Sequence, residues 1–114
     1  MIEDIEIMDN FKAVYRILTS LEKAMDLSEF NLEANVGPDQ LGISRERWMR
    51  YLEMMADVDY IKGPPIMKNI DGELMIRGRA DFRITLKGLE YLQENTTMRK
   101  LYKAAKGIRD ILPL

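Results

Sequence analysis

The chain has 114 residues, of which 46% are hydrophobic and 32% charged, with a net charge of −2, values that predict a single compact globular domain. It contains neither cysteine nor histidine, which excludes disulfides, Cys/His zinc sites and catalysis that relies on a Cys or His side chain. We therefore expect no enzymatic activity, no cofactor and no bound metal ion. The opening MIEDIEIMDN has no signal-peptide pattern and no apolar run is long enough to span a membrane, so we expect a cytoplasmic protein without a membrane partner.

Charge is unevenly distributed along the chain. Residues 1–61 carry 13 acidic and 6 basic side chains, whereas residues 62–114 carry 6 acidic and 11 basic ones. Such a distribution can orient a protein on a polyanion, and it can equally favour contacts between the acidic and basic surfaces of two proteins. The charge pattern leaves both alternatives open.

The first predicted element is a helix from about Asp9 to Asp26, because apolar residues recur there every three or four positions. The predicted buried stripe consists of Phe11, Val14, Leu18, Leu21 and Met25. Asp9 is the expected N-cap of this helix, since its side chain can accept a hydrogen bond from an unpaired backbone N–H. Residues 30–33 (FNLE) are expected to be extended.

A helix-turn-helix is predicted at about residues 38–57. Gly37 and Pro38 start a short helix, and Gly42 can end it in the left-handed conformation. Ser44 then caps a second helix. The second helix has a predicted buried stripe of Trp48, Leu52 and Met55, flanked by Tyr51 and Val58. From its position in this stripe, Trp48 is expected to be a core residue and not a platform on which bases stack.

The second helix of this pair also carries two kinds of charged surface. Arg45, Arg47 and Arg50 lie near its N-terminal end, which in helix-turn-helix proteins usually contacts base edges and phosphates. The face opposite the buried stripe carries four charged residues, Glu46, Arg50, Glu53 and Asp57. DNA readout by the first turn is one interpretation, and ordinary ion pairs of Arg50 with its two glutamates on a solvated face are the other.

A β-hairpin is predicted next, from YIKGPPIMKNIDGELMIRG. Asp71–Gly72 is typical of a two-residue turn, which would place Met67 opposite Ile76 and Asn69 opposite Leu74. Two prolines, at positions 64 and 65, are expected to interrupt the first arm or to place it at a sheet edge. A long hairpin after a helix-turn-helix is a wing, predicted here at about residues 60–85.

The predicted wing is basic. Its basic residues are Lys62, Lys68, Arg77, Arg79 and Arg83. Phosphate contact is one interpretation of these charges, and protection of an exposed sheet edge against aggregation is the other.

The stretch ITLKGLEYLQEN, residues 84–95, predicts an abrupt change from strand to helix. Ala80, Phe82 and Ile84 alternate with polar residues, as in a half-buried strand, and Thr85 is the expected cap of the following helix. The helix has Leu86, Leu89 and Leu92 on one side. Gly88 in its first turn is expected to allow close packing against a neighbour.

The last predicted element is an amphipathic helix from Met98 to Leu112. Its apolar face consists of Met98, Leu101, Ala105, Ile108 and Leu112, and its basic face carries Arg99, Lys103 and Lys106. Three arrangements are open: it closes over its own domain, it pairs with the same helix of a second copy, or its basic face lies on phosphates or an anionic membrane. We favour the first two, and expect a homodimer through this helix.

The combination of a helix-turn-helix, a hairpin and a strand ending in ITLKGLEYL resembles winged-helix domains, and YLQENTTMRKLYKAAKGIRDIL resembles the YjcQ-like family of small bacterial and phage-associated proteins. The resemblance implies an α+β winged helix-turn-helix with a hairpin wing and an added C-terminal helix. It also implies DNA binding, as in a phage or prophage transcriptional regulator. The predicted DNA-binding residues are Arg45, Arg47, Arg50, Lys68, Arg77 and Arg79. The alternative is a protein–protein interaction module without DNA binding, in which the acidic helix face meets a basic partner.

Overall fold

The computed structural model describes residues 2–95 and 98–100, with side chains described from residue 9 onward. The α-helices in this part of the chain are α1 (Ile2–Lys23), α2 (Leu32–Val36), α3 (Pro38–Leu41), α4 (Arg45–Asp57) and α5 (Leu86–Glu94). The strands are β1 (Ile61–Lys62), β2 (Ile66–Lys68), β3 (Leu74–Ile76) and β4 (Arg83–Ile84). A single 3-10 turn, Ala24–Asp26, follows α1.

Helix α1 differs from its prediction at its start and in its buried face. Asp9 lies inside the helix and is not its N-cap. The buried residues of α1 are Ala13, Tyr15, Ile17, Leu18 and Leu21. Because the core contacts are centred on Ile17 and Leu21, residues at the margin of the predicted stripe are left outside: Phe11 is 48% exposed, and Met25 in the 3-10 turn is 55% exposed.

The helix-turn-helix follows its predicted boundaries. Gly42 adopts a left-handed conformation (φ 69°) at the end of α3, and Ser44 Oγ accepts a hydrogen bond from the Arg47 N–H at 3.1 Å at the start of α4. The preceding stretch was predicted wrongly as extended. Asn31 Oδ1 accepts a hydrogen bond from the Ala34 N–H at 3.2 Å, and this cap starts the short helix α2 at Leu32.

Helix α4 packs its predicted stripe into the core. Trp48 and Leu52 are fully buried, Met55 is buried, and Tyr51 is buried beside them. The Trp48 Nε1–H donates to the Val36 carbonyl oxygen at 3.0 Å, which confirms the core position of the indole.

Val58, which was predicted to flank the buried stripe, follows the last residue of α4 and is 46% exposed. The chain turns away from the core immediately after the helix. Asp59 takes a left-handed conformation (φ 64°), and the Tyr60 N–H donates to the Met55 carbonyl oxygen at 2.8 Å. This is the hydrogen-bond pattern of a Schellman motif, with aspartate at the position that glycine usually occupies.

Two short antiparallel ladders form the sheet structure. Strand β1 pairs with β4, with Ile61 opposite Ile84, and β2 pairs with β3 to form the hairpin. Residues 63–65, which include both prolines, separate β1 from β2, as predicted. Both ladders contact α4, the first through β1 and the hairpin through β3, and Leu74 of the hairpin is buried in the core.

The register of the hairpin is shifted by one residue from its prediction. Met67 pairs with Met75 instead of Ile76, and the Asn69 N–H donates to the Glu73 carbonyl oxygen at 2.9 Å, so Asn69 does not face Leu74. The loop consists of three residues, 70–72, and Gly72 supplies the positive φ of 82° that it requires.

The Asn69 side chain accounts for this shift. Its Oδ1 accepts hydrogen bonds from the Asp71 and Glu73 N–H groups, both at 2.9 Å. These bonds close the longer loop, because they satisfy two backbone donors that a two-residue turn would arrange differently.

The change from strand to helix at residues 84–86 occurs as predicted. Phe82 and Ile84 are buried, and Thr85 Oγ1 accepts a hydrogen bond from the Gly88 N–H at 3.1 Å. A Cβ atom at Gly88 would clash with the Tyr60 carbonyl oxygen, which confirms the close packing expected there. Leu86 lies about 200° around the helix from Gly88, so it faces away from this contact and is 74% exposed.

These elements form an α+β fold of the winged-helix type, with the helix-turn-helix α3–α4 and the wing β2–β3 around one core. Of the helix predicted over residues 98–112, the structure describes residues 98–100, which are helical, with Met98 buried. The rest of that prediction lies outside the described residues.

Candidate nucleic-acid interface

The N-terminal end of α4 and the end of β3 line one small hollow. Its lining residues are Asn31, Glu33, Ala34, Arg45, Ile76, Gly78, Arg79 and Ala80. The fold thus brings Arg45 and Arg79 to one place, although they are far apart in sequence. The first turn of α4 and the root of the wing therefore form one continuous surface.

Both arginines of this hollow have an acidic partner from the segment before α3. Arg45 forms an ion pair with Glu33, and its guanidinium also lies over the Trp48 ring, 5.8 Å from the ring centroid. Arg79 Nη1 lies 3.4 Å from Glu29 Oε1, and both side chains are largely exposed. An exposed pair of this kind contributes only about 0–1 kcal/mol, so a phosphate can displace Glu29 from Arg79 at little cost.

The other two predicted arginines of α4 lie beside a different surface. Arg50 lies 3.7 Å from Glu46 and 3.6 Å from Glu53, which confirms the two ion pairs that the spacing indicated. The Arg47 Nη1–H donates to Asn10 Oδ1 at 2.7 Å. The arginines of α4 are therefore divided between two sides of the helix, and the charge of Arg50 is balanced locally.

The wing residues Lys68 and Arg77 are exposed, and within the described part of the chain no ion pair holds either side chain. They are the cations of the predicted set that are most available to a polyanion. Three apolar side chains share the wing with them: Met67 is 43% exposed, Met75 is 45% exposed and Ile70, at the tip, is 99% exposed. Met67 and Met75 were predicted to lie in the hairpin strands, but this exposed apolar surface was not predicted.

Arg83 has a structural role, although it was counted among the basic residues of the wing. Its guanidinium donates to the carbonyl oxygens of Ala24 and Leu27, both at 2.9 Å, and of Ser28 at 3.0 Å. It also lies 3.2 Å from Asp81 Oδ1. Arg83 therefore joins β4 to the end of the first helix, and its donors are not available to phosphates.

A groove of about 820 Å³ lies between α1 and α4, and its apolar lining is more extensive than its polar one. We call it the α1–α4 groove. Its apolar and aromatic lining residues are Phe11, Val14, Tyr51, Met54, Met55, Val58, Tyr60 and Tyr91, and Asn10, Ser44, Glu46, Arg47 and Arg50 complete it. The groove was not predicted from the sequence, where Phe11 was assigned to the buried stripe of α1 and Val58 to the flank of the buried stripe of α4. The sequence did contain an indication of the groove, because α1 and α4 carry more large apolar residues than one buried stripe needs.

Two tyrosines close one end of the α1–α4 groove. The rings of Tyr60 and Tyr91 are 5.0 Å apart between centroids and tilted by 41°. Burial, with smaller contributions from Tyr60 and Tyr15, raises the pKa of the Tyr91 phenol above its ordinary value of 10.0. Tyr91 is therefore neutral at physiological pH and presents a neutral hydroxyl beside the groove.

Among the described residues, no group of three or more His, Cys, Asp or Glu side chains is arranged to hold a metal ion. No helix in residues 2–95 or 98–100 is long and apolar enough to cross a membrane.

Comparison with known proteins gives a family and no closer relative. No match was found among curated proteins or among solved structures. A family model described as YjcQ protein matches residues 15–111, which is well over half of the chain. The match begins within α1 and includes the helix-turn-helix, the wing and α5. The chain therefore belongs to the YjcQ protein family.

Proposed function

We propose that this YjcQ-family protein binds double-stranded DNA as a transcriptional regulator, with the wing on the phosphate backbone and the first turn of α4 at the major groove. The observation that carries the proposal is the continuous surface formed by the start of α4 and the wing root, where Arg45 and Arg79 line one hollow. Lys68 and Arg77 extend the basic surface along the wing. Helix-turn-helix proteins use the same two elements for base and phosphate contacts.

The ion pairs of this surface limit the expected affinity. Glu33 balances the charge of Arg45, so the first turn of α4 adds little attraction for phosphates. The wing cations Lys68, Arg77 and Arg79 then provide about three phosphate contacts. Release of counterions from three phosphates predicts a log–log salt slope of about −2.7, which corresponds to a roughly 40-fold loss of affinity between 50 and 200 mM salt.

A double variant, Lys68→Ala with Arg77→Ala, tests this proposal. Removing two phosphate contacts is expected to weaken binding roughly 50-fold at 100 mM salt and to reduce the salt slope by about 2. Fluorescence anisotropy of labelled duplexes at several salt concentrations measures both quantities. Lys87→Ala, which removes an exposed lysine on α5 outside the proposed surface, is the matched control and should bind as the original chain does.

Two results would contradict DNA binding by this surface. One is the absence of anisotropy change for the original chain at 50 mM salt. The other is an equal loss of affinity in the double variant and in Lys87→Ala, because attraction would then come from overall charge and not from the wing.

A second candidate function is protein binding without DNA binding. It is favoured by the acidic partners that hold Arg45, Arg50 and Arg79, and by the exposed apolar side chains of the wing. Exposed apolar residues grouped on one surface are typical of protein contacts. This candidate predicts no duplex binding even at low salt, so the same anisotropy experiment distinguishes the two functions.

The proposal includes three further expectations from the sequence. The protein is expected to act without enzymatic activity and in the cytoplasm. A homodimer through the C-terminal helix is the third, and it concerns residues 101–114, which lie outside the described residues.

A further inference from the structure

We propose that the α1–α4 groove binds a small, uncharged aromatic molecule. Its volume of about 820 Å³ lies within the range of pockets that hold small organic ligands, roughly 300–1,000 Å³. Helices α1, α4 and α5 line it together with Tyr60 in the turn after α4. Because these elements pack on one hydrophobic core, the shape of the groove is set by the fold. This inference does not rest on DNA binding.

The walls of the groove expose apolar side chains. Phe11 on α1 is 48% exposed, Met54 on α4 is 53% exposed, and Val58 after α4 is 46% exposed. Tyr51 and Met55 also line the groove but are buried, so they belong to both the groove and the core. An apolar ligand that covers the three exposed side chains removes their surface from water, which favours binding. The body of the ligand is therefore apolar.

Aromatic rings surround the groove. They belong to Phe11, Tyr51, Tyr60 and Tyr91. The rings of Tyr60 and Tyr91 are 5.0 Å apart between centroids and tilted by 41°, so they form an aromatic pair at one end. A ligand ring can extend this pair in an offset-stacked or edge-to-face arrangement. Met54 adds a thioether, which packs favourably against ring edges. This lining favours an aromatic ligand over an aliphatic one.

The charged side chains of the groove are held by contacts within the protein. Among the described lining residues these are Glu46, Arg47 and Arg50. Arg50 Nη2 lies 3.7 Å from Glu46 Oε2, and its Nη1 lies 3.6 Å from Glu53 Oε1. The Arg47 Nη1–H donates to Asn10 Oδ1 at 2.7 Å. A charged ligand would have to displace such contacts and to lose its own hydration against an apolar lining, both of which are unfavourable. The groove therefore favours an uncharged ligand.

The two phenols at one end of the groove can bind a polar group of the ligand. A phenol hydroxyl both donates and accepts hydrogen bonds. Burial raises the pKa of Tyr91, which keeps its hydroxyl protonated at physiological pH. Tyr60 and Tyr91 therefore suit a neutral hydroxyl, carbonyl or N–H group at that end. The apolar body of the ligand then lies along Met54 and Phe11.

Fluorescence titration of the full-length protein with N-phenyl-1-naphthylamine tests this inference. The probe is uncharged and aromatic, and its emission rises when it moves from water to an apolar site. We expect saturable binding of one molecule per chain. A second probe, 8-anilinonaphthalene-1-sulfonate, has the same ring framework with an added sulfonate. Its dissociation constant should be at least roughly tenfold higher, because the sulfonate must lose hydration in the groove.

Variants at Met54 test the location of the probe. Met54→Glu adds a carboxylate to the apolar wall, so the dissociation constant of N-phenyl-1-naphthylamine should rise at least roughly tenfold. Met54→Leu keeps an apolar side chain of similar size and should bind within about twofold of the original chain.

The matched control is Met25→Glu. Met25 is 55% exposed, close to the value for Met54, but it does not line the groove. This variant should bind the probe as the original chain does. Circular dichroism establishes that each variant folds before it is titrated.

Three results would overturn the inference. Absence of saturable binding by the folded, full-length chain would leave the groove to a protein segment, from the same chain or from another. Equal dissociation constants in Met54→Glu and Met25→Glu would place the probe elsewhere on the surface. Equal or tighter binding of the sulfonate probe would assign the groove to anionic ligands.

Discussion

Replacing Trp48 with alanine is expected to lower the free energy of unfolding by about 3–5 kcal/mol, the range for loss of a fully buried large aromatic side chain. The indole has no exposed surface, and its Nε1–H pairs with the Val36 carbonyl oxygen at 3.0 Å. The alanine variant therefore leaves a cavity and an unpaired carbonyl group. Urea denaturation followed by far-UV circular dichroism measures the change.

Two comparisons make the Trp48 prediction specific. Trp48→Phe keeps most of the buried ring but removes the donor, so it should cost about 1–3 kcal/mol. Met25→Ala, at an exposed position near the end of the first helix, should change stability by no more than about 0.5 kcal/mol. A loss below 1 kcal/mol in Trp48→Ala would place the indole outside the core and contradict the packing of α4.

Replacing Arg83 with alanine is expected to cost about 2–3 kcal/mol, because one guanidinium supplies three hydrogen bonds to backbone carbonyls at the end of the first helix. Because Arg83 is partly exposed, water can replace some of these bonds in the variant. The loss of stability is therefore smaller than the summed contributions of three charged hydrogen bonds. Thermal or urea unfolding of the variant measures the effect.

Arg79→Ala is the matched control for Arg83, since it removes an arginine four residues earlier whose side chain is 86% exposed. It should change stability by about 0.5 kcal/mol or less. The loss of stability in Arg83→Lys should lie between the losses in Arg79→Ala and Arg83→Ala. An ammonium group has the charge of the guanidinium but not the planar set of donors that reaches three carbonyls. Equal stability of the Arg79 and Arg83 variants would contradict a structural role for Arg83.

The parts of the fold that could be predicted from sequence are those set by local chemistry. Ser44 and Thr85 cap their helices as expected, and Gly42 ends α3, because each feature depends on one residue and its next few neighbours. The pairing of Arg50 with Glu46 and Glu53 follows from helix geometry in the same way.

The predictions that failed depended on contacts in the folded chain that the spacing of residues along the sequence does not reveal. The hairpin signal at Asp71–Gly72 was correct, but the Asn69 side chain closes a three-residue loop and shifts the register by one. Burial of α1 was predicted from its own periodicity, whereas the core contacts select a face centred on Ile17 and Leu21, which leaves Phe11 exposed.

The candidate site was predictable in its elements and not in its electrostatics. The sequence placed basic residues on the first turn of α4 and on the wing, and the fold brings these two elements together. The partners of Arg45 and Arg79 are Glu33 and Glu29, which are distant in sequence, so their ion pairs could not be read from local spacing. The Glu33 pair balances the charge of Arg45 and leaves the wing as the main basic surface, which is why a modest, salt-sensitive affinity is expected.

The most direct test of DNA binding by the wing and the start of α4 is an NMR titration of ¹⁵N-labelled protein with a duplex at 50 mM salt. The account predicts the largest amide shift changes in the wing, at Lys68, Arg77 and Arg79, with smaller ones at Ser44 and Arg45. Amide signals of the α1–α4 groove, such as those of Phe11 and Met54, should change little. No shift changes, or changes confined to the groove, would contradict DNA binding by this surface.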